Sequence, residues 1–134
     1  MTEALVLTVS GIDQTGVTAG LTSSLSHLPV VVRQLEQIVL QGHLVLGLAL
    51  RATPDAPDGV FDVAIDVATT FAASRNMQVN ARVIAESDLV AWRERLLVTV
   101  LGSPLVPSSV AAITSTIAES GGNIAVSYTH LTLP

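Results

Sequence analysis

The chain has 134 residues, 49% of them apolar, and no cysteine, with a mean hydropathy of +0.60. This excludes disorder, whose signature is low hydrophobicity, and it excludes disulfides, iron–sulfur clusters and thiolate zinc sites. The net charge is −5 with only six Lys and Arg, and aromatics are 3%, so nucleic acid finds neither a basic face nor a stacking platform.

No apolar run approaches the roughly 18 residues that a membrane span requires, and no secretory leader pattern opens the chain. We expect a soluble, cytoplasmic protein with one domain of about 100 residues and a remainder.

Residues 4–10 are rich in Leu and Val and predict a strand. "GIDQTGV", residues 11–17, follows at a tight strand-to-helix junction. A helix is expected over 15–28, with Val17, Leu21, Leu25 and Leu28 as one apolar stripe. Asp13 or Thr15 is expected to cap it, and Pro29 to end it. Two β-favouring runs, 30–40 and 43–52, flank Gly42, whose tolerance of positive φ suits a hairpin. "TPDAPDG" at 53–59 reads as a loop. In the helix that follows, Phe61, Ala64, Ile65, Ala68, Phe71 and Ala72 share one face, and Asp62 and Asp66 turn to water. Over 77–86, Met77, Val79, Ala81, Val83 and Ala85 alternate with Gln78, Asn80 and Arg82.

Strand, helix, strand, strand, helix, strand is the α+β, ferredoxin-like βαββαβ order. Right-handed crossovers then set both helices on one face of an antiparallel sheet of order 4-1-3-2. After a charged connector, "LVTVLG" at 97–102 echoes "VLTVSG" at 6–11, 91 residues earlier. A further helix carries Val110, Ile113 and Ile117 on one face, "SGGN" stops it, and "IAVSY" begins a strand. This predicts a duplicated domain whose second copy is incomplete. Its second strand would lack the neighbour that belongs beside it, and either pairs with the edge of the first copy or is left as a sticky edge. Weak hydrogen-exchange protection over 122–128 is the expected consequence.

The element order, with "GIDQTGV" at the first junction, resembles the ACT domain, a small-molecule regulatory module of amino-acid metabolism. More narrowly, "LTVSGIDQTGVTAGLTSSLS" followed by "LEQIVLQGHLVLGLAL" is similar to the N-terminal tandem ACT region of actinobacterial-type phosphoserine phosphatases. The resemblance covers roughly residues 4–126 and includes Glu36–Gln37 before the hairpin. It implies a first ACT domain over 1–87, a connector over 88–95 and a partial second ACT domain over 96–127. Residues 128–134 read as a non-native tail, because "SYTHLTLP" is similar to translated-adapter ends. The natural frame is expected to diverge near Val126, with the catalytic domain lost. The family often carries Pro where this chain has Thr15, which predicts a slightly looser loop.

A helix N-terminus presents unpaired N–H groups and partial positive charge. Gly11 and Gly16 would let the backbone approach a ligand without a Cβ in the way. The expected ligand-binding set is Gly11, Ile12, Asp13, Gln14, Thr15, Gly16 and Val17. It would take an amino-acid carboxylate, with Asp13 on the ammonium group. The resemblance implies L-serine or glycine as effector, held near this loop at an interface between ACT units, and hence a homodimer. An alternative is a stand-alone tandem ACT regulator of the glycine-cleavage repressor type, acting through protein contacts. A ferredoxin-fold RNA binder is disfavoured by the acidic balance.

No catalytic residue is assigned. Phosphatases of the haloacid dehalogenase type use a D-x-D-x-T nucleophile motif, which is absent from this sequence. No cofactor is expected here; Mg²⁺ is expected only for the missing catalytic domain. Asp55, Asp58, Asp62 and Asp66 read as solvated caps and faces. His27, His43 and His130 lack paired ligand spacing; His27 is expected in the last turn of the first helix, and His43 at the exposed hairpin. Ser10, Ser23, Ser24 and Ser26 lie outside any G-x-S-x-G elbow, and Trp92 reads as a packing residue of the connector.

Overall fold

The computed structural model describes residues 2–89, 98, 106–122 and 124. The chain divides into two compact units, Met1–Trp92 and Arg93–Pro134. The first contains β1 (Glu3–Ile12), α1 (Val17–Leu25), β2 (Val30–Leu40), β3 (His43–Ala52), α2 (Val60–Ser74) and β4 (Gln78–Ala85). The strands form an antiparallel sheet of order β2-β3-β1-β4, the expected 4-1-3-2 arrangement.

Alternation sets the layers. Leu5, Leu7 and Val9 of β1 and Leu44, Leu46, Leu48 and Leu50 of β3 project to one face and are buried to 2% exposure or less. Val17, Leu21 and Leu25 of α1 and Ala64, Ala68 and Ala72 of α2 complete that core. Phe61, Ile65, Phe71 and Leu28 pack half-buried against it. Each fully buried leucine contributes roughly 1.5–3 kcal/mol relative to an exposed one. Alanines on α2 bring that helix close to the sheet. In β4, Val79 and Ala81 join the core margin, whereas Val83 is 46% exposed. No helix among the described residues is long and apolar enough to cross a membrane.

The hairpin turns at Gln41 and Gly42, with φ of 48° and 79° and Leu40 paired to His43. Positive φ at both central residues is the type I′ pattern that matches strand twist. β2 carries a bulge between Val32 and Gln34 and lies at the sheet edge, exposed along nearly its whole length.

Three expectations are corrected. The first helix spans Val17–Leu25 rather than 15–28, because Ser26–Leu28 close into tight turns before Pro29. His27 therefore lies beyond the helix, in those turns. Neither Asp13 nor Thr15 caps α1: the N-cap is Gly16, left-handed at φ 84°, with no side-chain hydrogen bond. Side-chain capping needs an extended residue with an oxygen at that position, and Gly16 offers neither.

Two helices end on a left-handed residue, α3 at the glycine stop its sequence implied. Asn76, at φ 55°, follows α2; its N–H donates to the Ala73 carbonyl and that of Met77 to Ala72. In the second unit, α3 (Pro107–Glu119) ends at Gly121, with Gly121 N–H donating to Ala118 and Gly122 N–H to Ile117. Both are Schellman closures, which satisfy otherwise unpaired carbonyls. On α3, Ile113 and Ile117 are half-buried and Val110 is 41% exposed. The strands expected around 97–102 and 123–128, the rest of the connector with Trp92, and the tail with His130 lie outside the described residues, apart from Val98 and Ile124.

Candidate functional site

The loop from Gly11 to Val17 is built by three neighbours. β1 delivers it beside the hairpin, where Asp13 N–H donates to the Gly42 carbonyl at 2.8 Å. The C-terminal end of α2 holds its other side. Gln14 Nε2 donates to the Arg75 carbonyl at 3.0 Å, and Arg75 Nη1 donates to the Thr15 carbonyl at 3.2 Å. Longer contacts run from Arg75 Nη1 to Gln14 Oε1 (3.4 Å) and from Gln14 Nε2 to the Ile12 carbonyl (3.5 Å). The Arg75 guanidinium sits 5.2 Å from the centre of the Phe71 ring, a cation–π seat. On the β2 side, Thr18 Oγ1 donates to Gln37 Oε1.

The helix begins with Gly20 N–H donating to the Gly16 carbonyl. Among the described residues, the N–H groups from Gln14 to Ala19 donate to no protein acceptor. These are the unpaired donors of a helix start, where the macrodipole places partial positive charge. Ile12, Asp13, Thr15 and Gly16 are exposed, and Ile12 reaches 78%. The loop is an open cradle and not an enclosed pocket. Two concavities of about 430 and 420 Å³ lie elsewhere, one beside α1 and α2 at Ser24 and Phe71, the other near Arg51 and Gly59. Neither includes a residue from 11 to 17.

The two glycines of the motif have different physical roles. A Cβ on Gly11 would lie 2.9 Å from Met77 Cγ, so this position is small because the chain after α2 crosses it. A Cβ on Gly16 would meet nothing within 4 Å; there the left-handed backbone is the constraint. Of the expected set, Gly16 and Val17 open the helix, Asp13 and Ile12 face water, Gln14 and Thr15 are tied to Arg75, and Gly11 packs on Met77. Sequence reasoning missed Arg75, Met77 and Thr18 and gave Gln37 no contact. No local spacing signals them, since Arg75 lies 60 positions beyond Thr15.

Among the described residues, the remaining polar side chains form no second centre. Asp62, Asp66, His27 and His43 are exposed, and Asp55 accepts from Thr53 Oγ1 at 2.8 Å within its own turn. Among the described residues, no group of three or more His, Asp or Glu is placed to hold a metal.

This fold, with a glycine-started helix beside an exposed hairpin strand, is the ferredoxin-like βαββαβ sandwich. The sequence profile of the ACT domain family matches residues 3–74, and the chain belongs to that family. It is 34% identical over 122 residues to a phosphoserine phosphatase of Streptomyces coelicolor, covering 90% of this chain and 28% of that protein. It is 32% identical over 123 residues to phosphoserine phosphatase SerB2 of Mycobacterium tuberculosis, covering 90% and 29%. The chain thus spans less than a third of the length of these curated relatives. Among solved structures, an ACT domain protein from Streptococcus pneumoniae superimposes with a TM-score of 0.53 at 19% identity, over 68% of this chain and 100% of that one. That likeness concerns the fold.

Proposed function

We propose that this chain is the amino-acid-sensing regulatory region of a phosphoserine phosphatase and that L-serine or glycine binds at the Gly11–Val17 loop. The observation that carries the reading is the run of unclaimed N–H groups from Gln14 to Ala19 on an exposed helix start. A ligand carboxylate accepts from these donors, and the exposed Asp13 carboxylate takes the ammonium group. The two phosphoserine phosphatase relatives favour this reading over a stand-alone repressor-type regulator. Any Mg²⁺ belongs to the parent's catalytic domain, not to this region.

The cradle is open, so a second ACT unit closes it. The β2 edge supplies the seam: Val32, Leu35, Ile38, Val39 and Leu40 are 40–70% exposed on a strand with one unpaired side. Closure around the effector would bias an attached catalytic domain by the difference in effector affinity between its two states.

Calorimetry and thermal melts with L-serine, glycine and D-serine test the ligand. Saturation at about a hundredfold the dissociation constant should stabilise the fold by about 2.7 kcal/mol, with L-serine above D-serine. No heat and no shift at millimolar L-serine or glycine, in a protein shown by light scattering to be dimeric, overturns the reading. Leu35→Lys with Val39→Lys should shift the protein to monomer, because charged edge residues oppose strand pairing.

A further inference from the structure

Arg75 and Arg82 are the arginines of the first unit without an ion pair among the described residues, and Arg75 is the one hydrogen-bonded to the loop. Arg33 and Arg51 both pair with Glu86, at 3.2 and 3.7 Å. Among the described residues, no carboxylate lies within ion-pair distance of Arg75. Its guanidinium is instead seated on Phe71 and directed at the main chain of the cradle, donating to the Thr15 carbonyl. Gln14 returns a hydrogen bond to the Arg75 carbonyl, so the lock closes in both directions.

The consequence lies in peptide geometry. In a trans peptide the carbonyl and the following N–H point to opposite sides of the chain. Drawing the Thr15 carbonyl toward α2 therefore aims the Gly16 N–H away from α2. The same relation holds one turn earlier, where the Ile12 carbonyl leans to Gln14 and the Asp13 N–H reaches the Gly42 carbonyl. Gly16 has neither a side chain nor a restricted φ of its own, and no proline precedes it. The local turn at Thr15–Gly16 orients this peptide plane, and a second restraint on it comes from across the fold.

We infer that Arg75 is the positioning residue of the cradle: it fixes the Thr15–Gly16 peptide so that the Gly16 N–H is presented outward, and its unpaired charge adds positive potential beside that donor. The inference deepens the amino-acid-binding reading and rests on it for its ligand. Without the lock, the peptide would have to be ordered at each binding event. Fixing one residue's backbone corresponds to about a tenfold loss of affinity.

The test uses the whole chain and two variants. Arg75→Met keeps the stem and removes the charge and donors; Arg75→Lys keeps the charge and loses the fork. Backbone ¹⁵N relaxation is measured without ligand, and calorimetry with L-serine and with glycine follows. In the parent chain the Gly16 and Val17 N–H vectors should have order parameters near 0.85, falling below about 0.6 in Arg75→Met. β1 and β3 should keep theirs. Affinity for L-serine should fall about tenfold in Arg75→Met, and Arg75→Lys should recover part of it with stronger salt dependence. Unchanged Gly16 order and unchanged L-serine affinity in Arg75→Met overturn the inference while leaving the ligand reading intact. If the parent chain binds neither amino acid, the ligand reading falls, and the lock is judged by the relaxation data alone. Should Arg75→Met fail to fold, Arg75→Lys decides by the same Gly16 measurement.

Discussion

Residues within the glycine-rich loop and the first helix carry separate duties that a motif string merges. Gly16 is constrained by conformation, Gly11 by Met77, and Gly20 by Phe71, whose Cε1 would lie 2.5 Å from an added Cβ. The three substitutions should therefore separate. Gly16→Ala forces a Cβ into the left-handed region and should destabilise by roughly 1–2 kcal/mol. It should also weaken the proposed L-serine binding, because the helix start must shift. Gly20→Ala overpacks the α1–α2 contact and should destabilise by about 1–3 kcal/mol. Its ligand affinity should change little, since Phe71 and not the loop absorbs the strain. Urea unfolding and calorimetry on both variants check the split.

Elements were legible where their signals are local. The helical stripe of Val17, Leu21 and Leu25 and the face of Ala64, Ala68 and Ala72 correspond to buried positions, whereas the alternating set of 77–85 holds only in part, with Val83 46% exposed. The hairpin at Gly42 formed as its sequence implies. Its partner Gln41 sits at φ 48°, which a residue with a long side chain tolerates less well than Asn. Gln41→Asn should accordingly stabilise the domain by about 0.5 kcal/mol, read as a higher urea midpoint with an unchanged slope. The helix boundaries were less legible, because an apolar stripe continues into turns. Leu28 packs on the core from outside α1, so the periodicity persisted while the helix had ended.

Among the described residues one well-developed core is present, and it lies in the first unit. Every residue of that core cluster falls between Leu5 and Met77. A chain ending at residue 92 should therefore keep a single cooperative unfolding transition, with the slowest amide exchange in β1 and β3, the two strands paired on both sides. Loss of cooperativity on that truncation would show that the second unit contributes to the same core. β2 should exchange faster than β1 and β3, being paired on one side only. Pairing with a second copy should protect it, and the difference between dilute and concentrated protein measures that seam.

By itself the amino-acid sequence determined the order of elements, the sheet topology, the hairpin and most of the buried face. Each depends on periodicity or turn chemistry within a few neighbouring residues. It also set two glycines and small polar residues at the strand-to-helix junction of 11–17. Only the tertiary structure decided how that loop is held: a left-handed glycine in place of a side-chain cap, Met77 against Gly11, and Arg75 on the Thr15 carbonyl. Those contacts join residues some sixty positions apart. They exist because folding brings the end of α2 to the start of α1, a proximity that no local pattern encodes.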